Sequence, residues 1–282
     1  MSAFNVRVYN YVDGQQIRIY NTCYNCENKD DVFEKSKQKK EDIDITGVEN
    51  EEIWKNIEKY EPYLGEMLED WERNAQKQRS EHNSMSRTVK NIYEITRSNE
   101  WEYFVTLTFN PEKVDSFDYS EVVKKLSKWL NNLKDRYASD LKYIVVPELH
   151  KSGRFHFHGL FADIGSMQLV DSGKRLPDGG IIYNIGNYKL GFTTATKIKD
   201  TGRVSSYVTK YITKELVAVT KNKKRYWCSR NLDKVFVQEF VLAPDEIKQM
   251  LEDLTEHITY CKTVSNELLG KSTKYIEVAY EV

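Results

Sequence analysis

Two runs of alternating apolar and polar residues flank a short polar turn between residues 141 and 161. Successive side chains of a strand point to opposite faces, so His156 and His158 share one face. The turn at 150–154 folds the preceding strand back as an antiparallel neighbour, which brings Glu148 near the two histidines. Two imidazoles and a carboxylate on one hairpin predict a site for a divalent ion.

The rest of the chain also alternates between strand and helix patterns. We predict an α+β fold, with a central antiparallel sheet, flanking helices, and an N-terminal hairpin and helical accessory region. The accessory region is expected to cover 1–98, and the second domain 99–282, ending in a strand–helix–strand extension. The predicted elements are a hairpin (4–22), a charged linker (27–50), helices within 51–98, a strand (104–110), a helix capped by Asp118, an exposed loop (165–180), a strand (190–198), a helix (203–216), a strand (234–242), a helix (244–258) and an edge strand (274–282).

Charge is distributed unevenly along the 282 residues, although the net charge is only −1. Residues 27–72 contain sixteen acidic and seven basic residues, a net charge of −9. Residues 186–230 contain eleven basic and two acidic residues, a net charge of +9. A basic segment within a nearly neutral chain indicates a localised site for a polyanion, and we expect nucleic acid as the partner.

Other sequence features exclude several classes of protein. No apolar run is long enough to span a membrane, no signal peptide is recognisable, and four cysteines do not form a disulfide framework at this length, so we expect no membrane partner and a cytoplasmic location. Cys23 and Cys26 could form half of a zinc site, although free thiols remain the alternative. The sequence GKST at 270–273 lacks the first glycine of a phosphate-binding loop, so the chain carries no recognisable helicase motor.

The predicted helix over 203–216 has two chemically different faces. One stripe is apolar and is expected to face the sheet: Val204, Val208, Ile212 and Leu216. The neighbouring stripe interleaves two phenols with two amines: Tyr207, Lys210, Tyr211 and Lys214. A phenol attacks phosphorus only when a nearby cation or base favours phenolate, and we expect these lysines to supply that charge.

Phosphoryl transfer requires a nucleophile, a Lewis acid and a clamp for the substrate strand. The tyrosine stripe and the histidine site supply the first two. For the clamp, the sequence offers the basic residues Lys197, Lys199 and Arg203.

Taken together, three motifs resemble those of the HUH endonuclease superfamily, and in particular two-tyrosine rolling-circle replication initiators of phages and plasmids. The resemblance covers about residues 101–230 and rests on FVTLTF (104–109), HFHGLF (156–161) and YVTKYITK (207–214). It implies that His156 and His158 are ligands of Mg²⁺ or Mn²⁺, with Glu148 as the third ligand. It also implies that the two tyrosines are nucleophiles.

By this resemblance the chain would nick single-stranded DNA at a replication origin. Tyrosine would attack a backbone phosphate, leaving a 5′-phosphotyrosine and a free 3′-OH, and the reverse reaction would rejoin strands. Because the chain lacks a motor motif, the helicase and the replication machinery would come from the host. One alternative is a transposase or mobilisation relaxase of the same superfamily. Another is a non-catalytic protein that binds single-stranded DNA through aromatic stacking.

Overall fold

The computed structural model describes residues 3–24, 79–266 and 270–280. Contacts group the chain into two compact units with interleaved boundaries. One unit comprises Met1–Tyr9, Gln16–Ser80 and Val237–Val282, and the other comprises Asn10–Gln15 and Glu81–Phe236. The linker predicted over 27–50, the helical region over 51–78 and Cys26 lie outside the described residues.

Strands and helices follow one another in an α+β order. They are β1 (Phe4–Asn10), β2 (Gly14–Tyr24), α1 (79–97), β3 (Tyr103–Phe109), α2 (Tyr119–Arg136), β4 (Lys142–Leu149), β5 (Phe155–Ala162), β6 (Leu169–Arg175), β7 (Ile181–Ile185), β8 (Gly191–Lys197), α3 (Thr201–Thr209), α4 (Lys214–Val219), β9 (Trp227–Cys228), β10 (Phe236–Phe240), α5 (Pro244–Asp253), a 3₁₀ turn (Thr255–His257), β11 (Ile258–Asn266) and β12 (Lys271–Ala279).

A seven-stranded antiparallel sheet organises the unit that contains residues 81–236. Its strand order is β6-β7-β8-β3-β5-β4-β9. The alternation predicted for β3 is confirmed, because Val105 and Leu107 are fully buried on one face. On that face Trp129 of α2 contacts Phe161 of β5, so α2 covers the back of the sheet. The opposite face, which we call the front face, carries the polar residues of β3 and β5.

Helix α2 begins where its sequence predicts. The Asp118 carboxylate accepts a hydrogen bond of 2.8 Å from the Ser120 backbone N–H, which satisfies an amide that has no partner within the helix. Its buried stripe recurs at helical spacing through Val122, Leu126, Trp129, Leu130 and Leu133. Burying this stripe removes apolar surface from water and holds α2 against the sheet.

The other unit contains a five-stranded sheet of order β10-β1-β2-β12-β11. Its core joins both ends of the chain, with Val6, Ile17 and Ile276 fully buried or nearly so. The predicted edge strand over 274–282 is therefore wrong in position, because β12 lies between β2 and β11. The predicted boundary at residue 98 also differs from the observed grouping, since the C-terminal strands pair with the N-terminal hairpin. Strand neighbours distant in sequence decide both points.

Part of the loop predicted over 165–180 is a strand. Residues 169–175 form β6, which pairs only with β7 at the edge of the seven-stranded sheet. The register shifts between Asp171 and Arg175, and Gly173 there has a φ of +75°. Because an edge strand with a bulge is mostly exposed, its polar, glycine-containing sequence reads as a loop.

The helix predicted over 203–216 is interrupted. Helix α3 ends at Thr209, the next amides bond to carbonyls three residues back, and α4 begins at Lys214. The Thr213 hydroxyl accepts a hydrogen bond of 3.2 Å from the Leu216 backbone N–H, which starts the second helix. Val208, Ile212 and Leu216 are nevertheless buried as expected. The two tyrosines therefore lie on α3 and on the turn after it.

Candidate active site

Strand β5 presents its polar residues to the front face of the sheet. His156 is half-buried and His158 is buried, and both lie opposite the back-face residue Phe157. Arg154 lies two residues before His156, so it begins on the same side of the chain. In register, Glu148 of β4 stands opposite His156. The prediction that β4 and β5 bring this carboxylate to the histidines is confirmed.

Two threonines of β3 contact the ring nitrogens of the two histidines. The Thr106 hydroxyl oxygen lies 3.2 Å from His158 Nδ1, and the Thr108 hydroxyl oxygen lies 3.2 Å from His156 Nδ1. His158 Nε2 lies 2.8 Å from the Glu148 carboxylate. Both rings are thus held at Nδ1, and each directs Nε2 away from β3. This is the usual arrangement of a metal-ligating histidine, whose second nitrogen is fixed by a hydrogen bond.

Burial lowers the pKa of both histidines. For His158 the loss of solvent outweighs the hydrogen bond and the negative charge of Glu148, which act in the opposite direction. For His156 burial is again the main cause, opposed by Glu148 and reinforced by the positive charge of Arg154. Both imidazoles are therefore neutral at pH 7, which is the form that binds a metal ion.

Gly159 allows β4 and β5 to approach closely beside the histidines. A Cβ at this position would lie 2.9 Å from the Ile144 backbone oxygen and 2.9 Å from a side-chain atom of Val145. Only glycine fits there without moving the neighbouring backbone. The glycine of the HFHGLF motif thus fixes the spacing between the strand that carries Glu148 and the strand that carries the histidines.

The two tyrosines lie against this group of residues in different environments. The Tyr211 ring stacks on the His158 ring with a centroid distance of 3.7 Å and an interplanar angle of 5°. The Tyr207 ring is 46% exposed, and its edge meets Tyr211 and Phe104, each at 5.5 Å between centroids. Both phenols therefore lie beside the histidine pair, as expected, although only one of them is exposed.

Burial raises the pKa of Tyr211, and a hydrogen bond with Tyr207 and the negative charge of Glu148 raise it further. The expectation that nearby lysines would favour a Tyr211 phenolate is therefore wrong in this structure. Lys210 lies over the other phenol ring, with its Nζ atom 5.7 Å from the Tyr207 centroid. Lys214 is exposed at the start of α4.

The three expected DNA-binding residues differ in placement. Lys199 is exposed and forms an ion pair of 2.8 Å with Asp178, which partly neutralises it. Lys197 stands opposite Tyr103 in the register of β3 and β8, so its side chain begins on the back face. Arg203 lies in α3, but its side chain is outside the described residues. These positions do not form a single basic cluster with the histidines.

Within the described ranges, no three His, Cys, Asp or Glu side chains are arranged as a complete metal site. The reason is the direct bond between His158 Nε2 and Glu148, which occupies both donor atoms. Their chemistry and spacing nevertheless suit a divalent ion. Adjacent ligands of an octahedral ion with bonds of about 2.1 Å lie about 3 Å apart, close to the observed 2.8 Å. Cys23, half of the alternative zinc site, is an exposed free thiol.

Sequence reasoning missed three groups of side chains at this site. Thr106 and Thr108 were recognised as sharing a face, but their contact with the histidines depends on strand pairing that the sequence does not show. Arg154 precedes His156 by two residues, and this period-two spacing could have identified it. Phe104 bridges Tyr207 and His158, with its ring stacked on the imidazole at 5.9 Å.

No helix in the described ranges is long and apolar enough to cross a membrane. Neither a curated protein nor a solved structure matches the chain significantly. The model of a family of replication-associated proteins, the ORF2 type, matches residues 102–216. This segment runs from the start of β3 to α4 and contains both histidines, Glu148 and both tyrosines. It accounts for about two-fifths of the 282 residues. Residues 102–216, which build the candidate active site, therefore belong to a replication-associated protein family of the rolling-circle Rep type.

Proposed function

We propose that the protein initiates rolling-circle replication by nicking single-stranded origin DNA with a tyrosine nucleophile. The observation that carries this proposal is the packing of two tyrosines against a histidine pair and a carboxylate. Tyr211 stacks on His158, Tyr207 contacts Tyr211, and His158 bonds to Glu148. A structural role for the phenols does not account for an exposed Tyr207 beside buried polar groups.

His156, His158 and Glu148 would hold the metal ion, Mg²⁺ or Mn²⁺. When bound, such an ion withdraws charge from the scissile phosphate as a Lewis acid. Thr106 and Thr108 fix the orientation of the rings, and the lowered pKa values keep both rings neutral. The residues of the chain thus prepare a neutral donor set before any ligand arrives.

In the reaction a tyrosine Oη forms a bond to phosphorus, and the bond from phosphorus to the 3′-oxygen breaks. The departing oxygen takes up a proton to become the 3′-OH, while the 5′-phosphate remains on tyrosine. Tyr207 is suited to the first attack because its phenol is exposed and Lys210 lies over its ring. Tyr211 is suited to a later step, because burial keeps its phenol protonated until its surroundings change.

Phenylalanine substitutions test this assignment. The protein is incubated with Mn²⁺ and a labelled randomised single-stranded DNA pool, and covalent adducts are resolved by denaturing electrophoresis. We expect Tyr207→Phe to reduce the first adduct strongly, Tyr211→Phe to retain nicking but lose strand transfer, and the double variant to form no adduct. Tyr226→Phe, outside the stripe, serves as the matched control.

Each other outcome identifies a different function. DNA binding that persists in chelator without any adduct indicates a non-catalytic protein. Cleavage confined to transposon ends instead of origin sequences indicates a transposase. If Tyr211→Phe alone abolishes the adduct, the first nucleophile is Tyr211 and the proposed order is wrong.

A further inference from the structure

The front face of the seven-stranded sheet is covered on one side and open on the other. Over β4, β5 and β3 it carries the candidate active site. Over β8, β7 and β6 it is exposed, and Phe192 and Val170 each have 53% of their surface accessible. We call this part the open front face, and its residues are Val170, Ile182, Asn184, Phe192, Thr194 and Thr196.

Strand register joins the open front face to the active site. Thr194 stands opposite Thr106, the residue that contacts His158, and Phe192 stands opposite Thr108. Directly opposed residues of antiparallel strands point to the same face, so Phe192 lies beside the group that contains His156. Gly191 fixes this position, because a Cβ there would lie 2.2 Å from the Thr108 backbone oxygen.

We propose that the open front face binds the single-stranded DNA substrate, and that Phe192 stacks on the base immediately 5′ of the cleaved phosphate. This inference rests on the proposed function. It assigns a base-binding position to a residue that lies outside the histidine and tyrosine motifs.

The chemistry of this surface favours DNA bases over other partners. Its six residues are uncharged, and none of the ring pairs within the described part of the chain uses the Phe192 ring. The strand that carries Phe192 runs between Lys189 and Lys197 in the segment of net charge +9. Single-stranded nucleic acid binds where aromatic rings accept bases and nearby cations follow the phosphates.

The order of residues along β3 identifies which base reaches Phe192. Phe104 contacts Tyr207, Thr106 contacts His158, and Thr108 stands beside Phe192. The nucleophile and Phe192 therefore lie toward opposite ends of the histidine pair. In phosphoryl transfer the attacking and leaving oxygens lie in line on opposite sides of phosphorus. The nucleotide that leaves with the 3′-OH consequently points toward Phe192.

A binding experiment in chelator tests the stacking directly. Fluorescent dT15 and a 15-mer of abasic tetrahydrofuran units are titrated with the wild type, Phe192→Ala, Phe192→Tyr and Phe236→Ala. Phe236 is the matched control, because it is 64% exposed and lies outside the seven-stranded sheet. We expect Phe192→Ala to bind dT15 about ten-fold more weakly and to lose most of its preference for dT15 over the abasic strand. Phe192→Tyr and Phe236→Ala should behave like the wild type.

A cleavage experiment tests the position of the base. Once a nicked sequence has been mapped, one abasic unit is placed on either side of the cleaved phosphate. The 5′ substitution should slow the wild type about ten-fold and should have little further effect on Phe192→Ala. A stronger effect from the 3′ substitution would overturn the assignment, as would equal dT15 binding by Phe192→Ala and Phe236→Ala.

Two further outcomes separate this inference from the proposed function. If no variant or substrate yields a covalent adduct, the proposed function is wrong, and the position 5′ of a nick is wrong with it. If adducts form but Phe192→Ala matches its control in both assays, only the inference is wrong. A dimer that dissociates in Phe192→Ala would show that a second copy covers the face, which also overturns it.

Discussion

Replacing Thr106 with valine should weaken metal binding without removing a ligand. Its hydroxyl lies 3.2 Å from Nδ1 of the buried His158 ring. Valine keeps the shape of the side chain but cannot form this hydrogen bond. Loss of a partner that orients a metal-ligating histidine typically lowers metal affinity by about 10- to 100-fold.

The expected magnitude follows from binding linkage. At an Mn²⁺ concentration of about 100 times Kd, binding stabilises the folded protein by about 2.7 kcal/mol. A rise in Kd of about 30-fold reduces this to about 0.9 kcal/mol, because only about three times Kd is then present. For a protein of this size the loss of about 1.8 kcal/mol corresponds to about 4–7 °C of the Mn²⁺-induced shift in Tm.

Differential scanning fluorimetry with and without Mn²⁺ measures this shift in wild type, Thr106→Val and Thr106→Ser. Serine retains the hydroxyl and should recover most of the shift. Thr88→Val is the matched control, because the Thr88 hydroxyl donates to the Ser84 carbonyl within α1, away from the histidines. An equal Mn²⁺-induced shift in Thr106→Val and wild type would refute the proposed role of the hydroxyl. The absence of any shift in wild type would refute the metal proposal.

Three further predictions concern protonation, DNA binding and packing. Because burial lowers the pKa of His156 and His158, both rings stay neutral as the pH falls through about 6.5, so we expect adduct formation to decline only below that pH in a pH–rate profile. Lys210→Ala should weaken binding to dT15 and reduce the slope of log K against log salt by about 0.7, as measured by fluorescence anisotropy; an unchanged slope would place the phosphate contacts elsewhere. Gly159→Ala should lower the free energy of unfolding in urea by about 1–3 kcal/mol, because the new methyl group meets the Ile144 carbonyl, and an unchanged midpoint would contradict this packing.

The sequence predicts the histidine hairpin well because every relation in it is local. Alternation along β5 determines which face His156 and His158 share, and a short turn determines that β4 returns beside it. The same local logic predicted β3 and the start of α2. It did not predict the contact between Thr106 and His158, because that contact depends on β3 pairing with a strand more than forty residues away.

The C-terminal strands show the complementary case. The segment over 271–279 alternates clearly, but alternation does not reveal which strands lie on either side. An edge strand and a central strand with one exposed face have similar patterns. Here β12 pairs between β2 and β11, so the two ends of the chain share one sheet. The domain boundary could not be derived from composition, because long-range pairing decides it.

The interruption between α3 and α4 was hidden by a pattern that continues across it. Val208, Ile212 and Leu216 keep a spacing of four and are all buried, so the apolar stripe predicts one helix. Thr213 carries the opposite signal, since its hydroxyl caps α4. A local cap and a hydrophobic period therefore disagreed, and the cap determined the backbone.

This interruption also explains why two tyrosines four residues apart differ chemically. Tyr207 remains on α3 with an exposed phenol, whereas Tyr211 lies in the turn and stacks on His158. Burial raises the pKa of Tyr211, while Lys210 lies over the Tyr207 ring. A cycle of nicking and rejoining needs a second nucleophile that stays unreactive while the first holds DNA. Because the environments differ before any substrate binds, the fold itself assigns the order in which we propose the two phenols act.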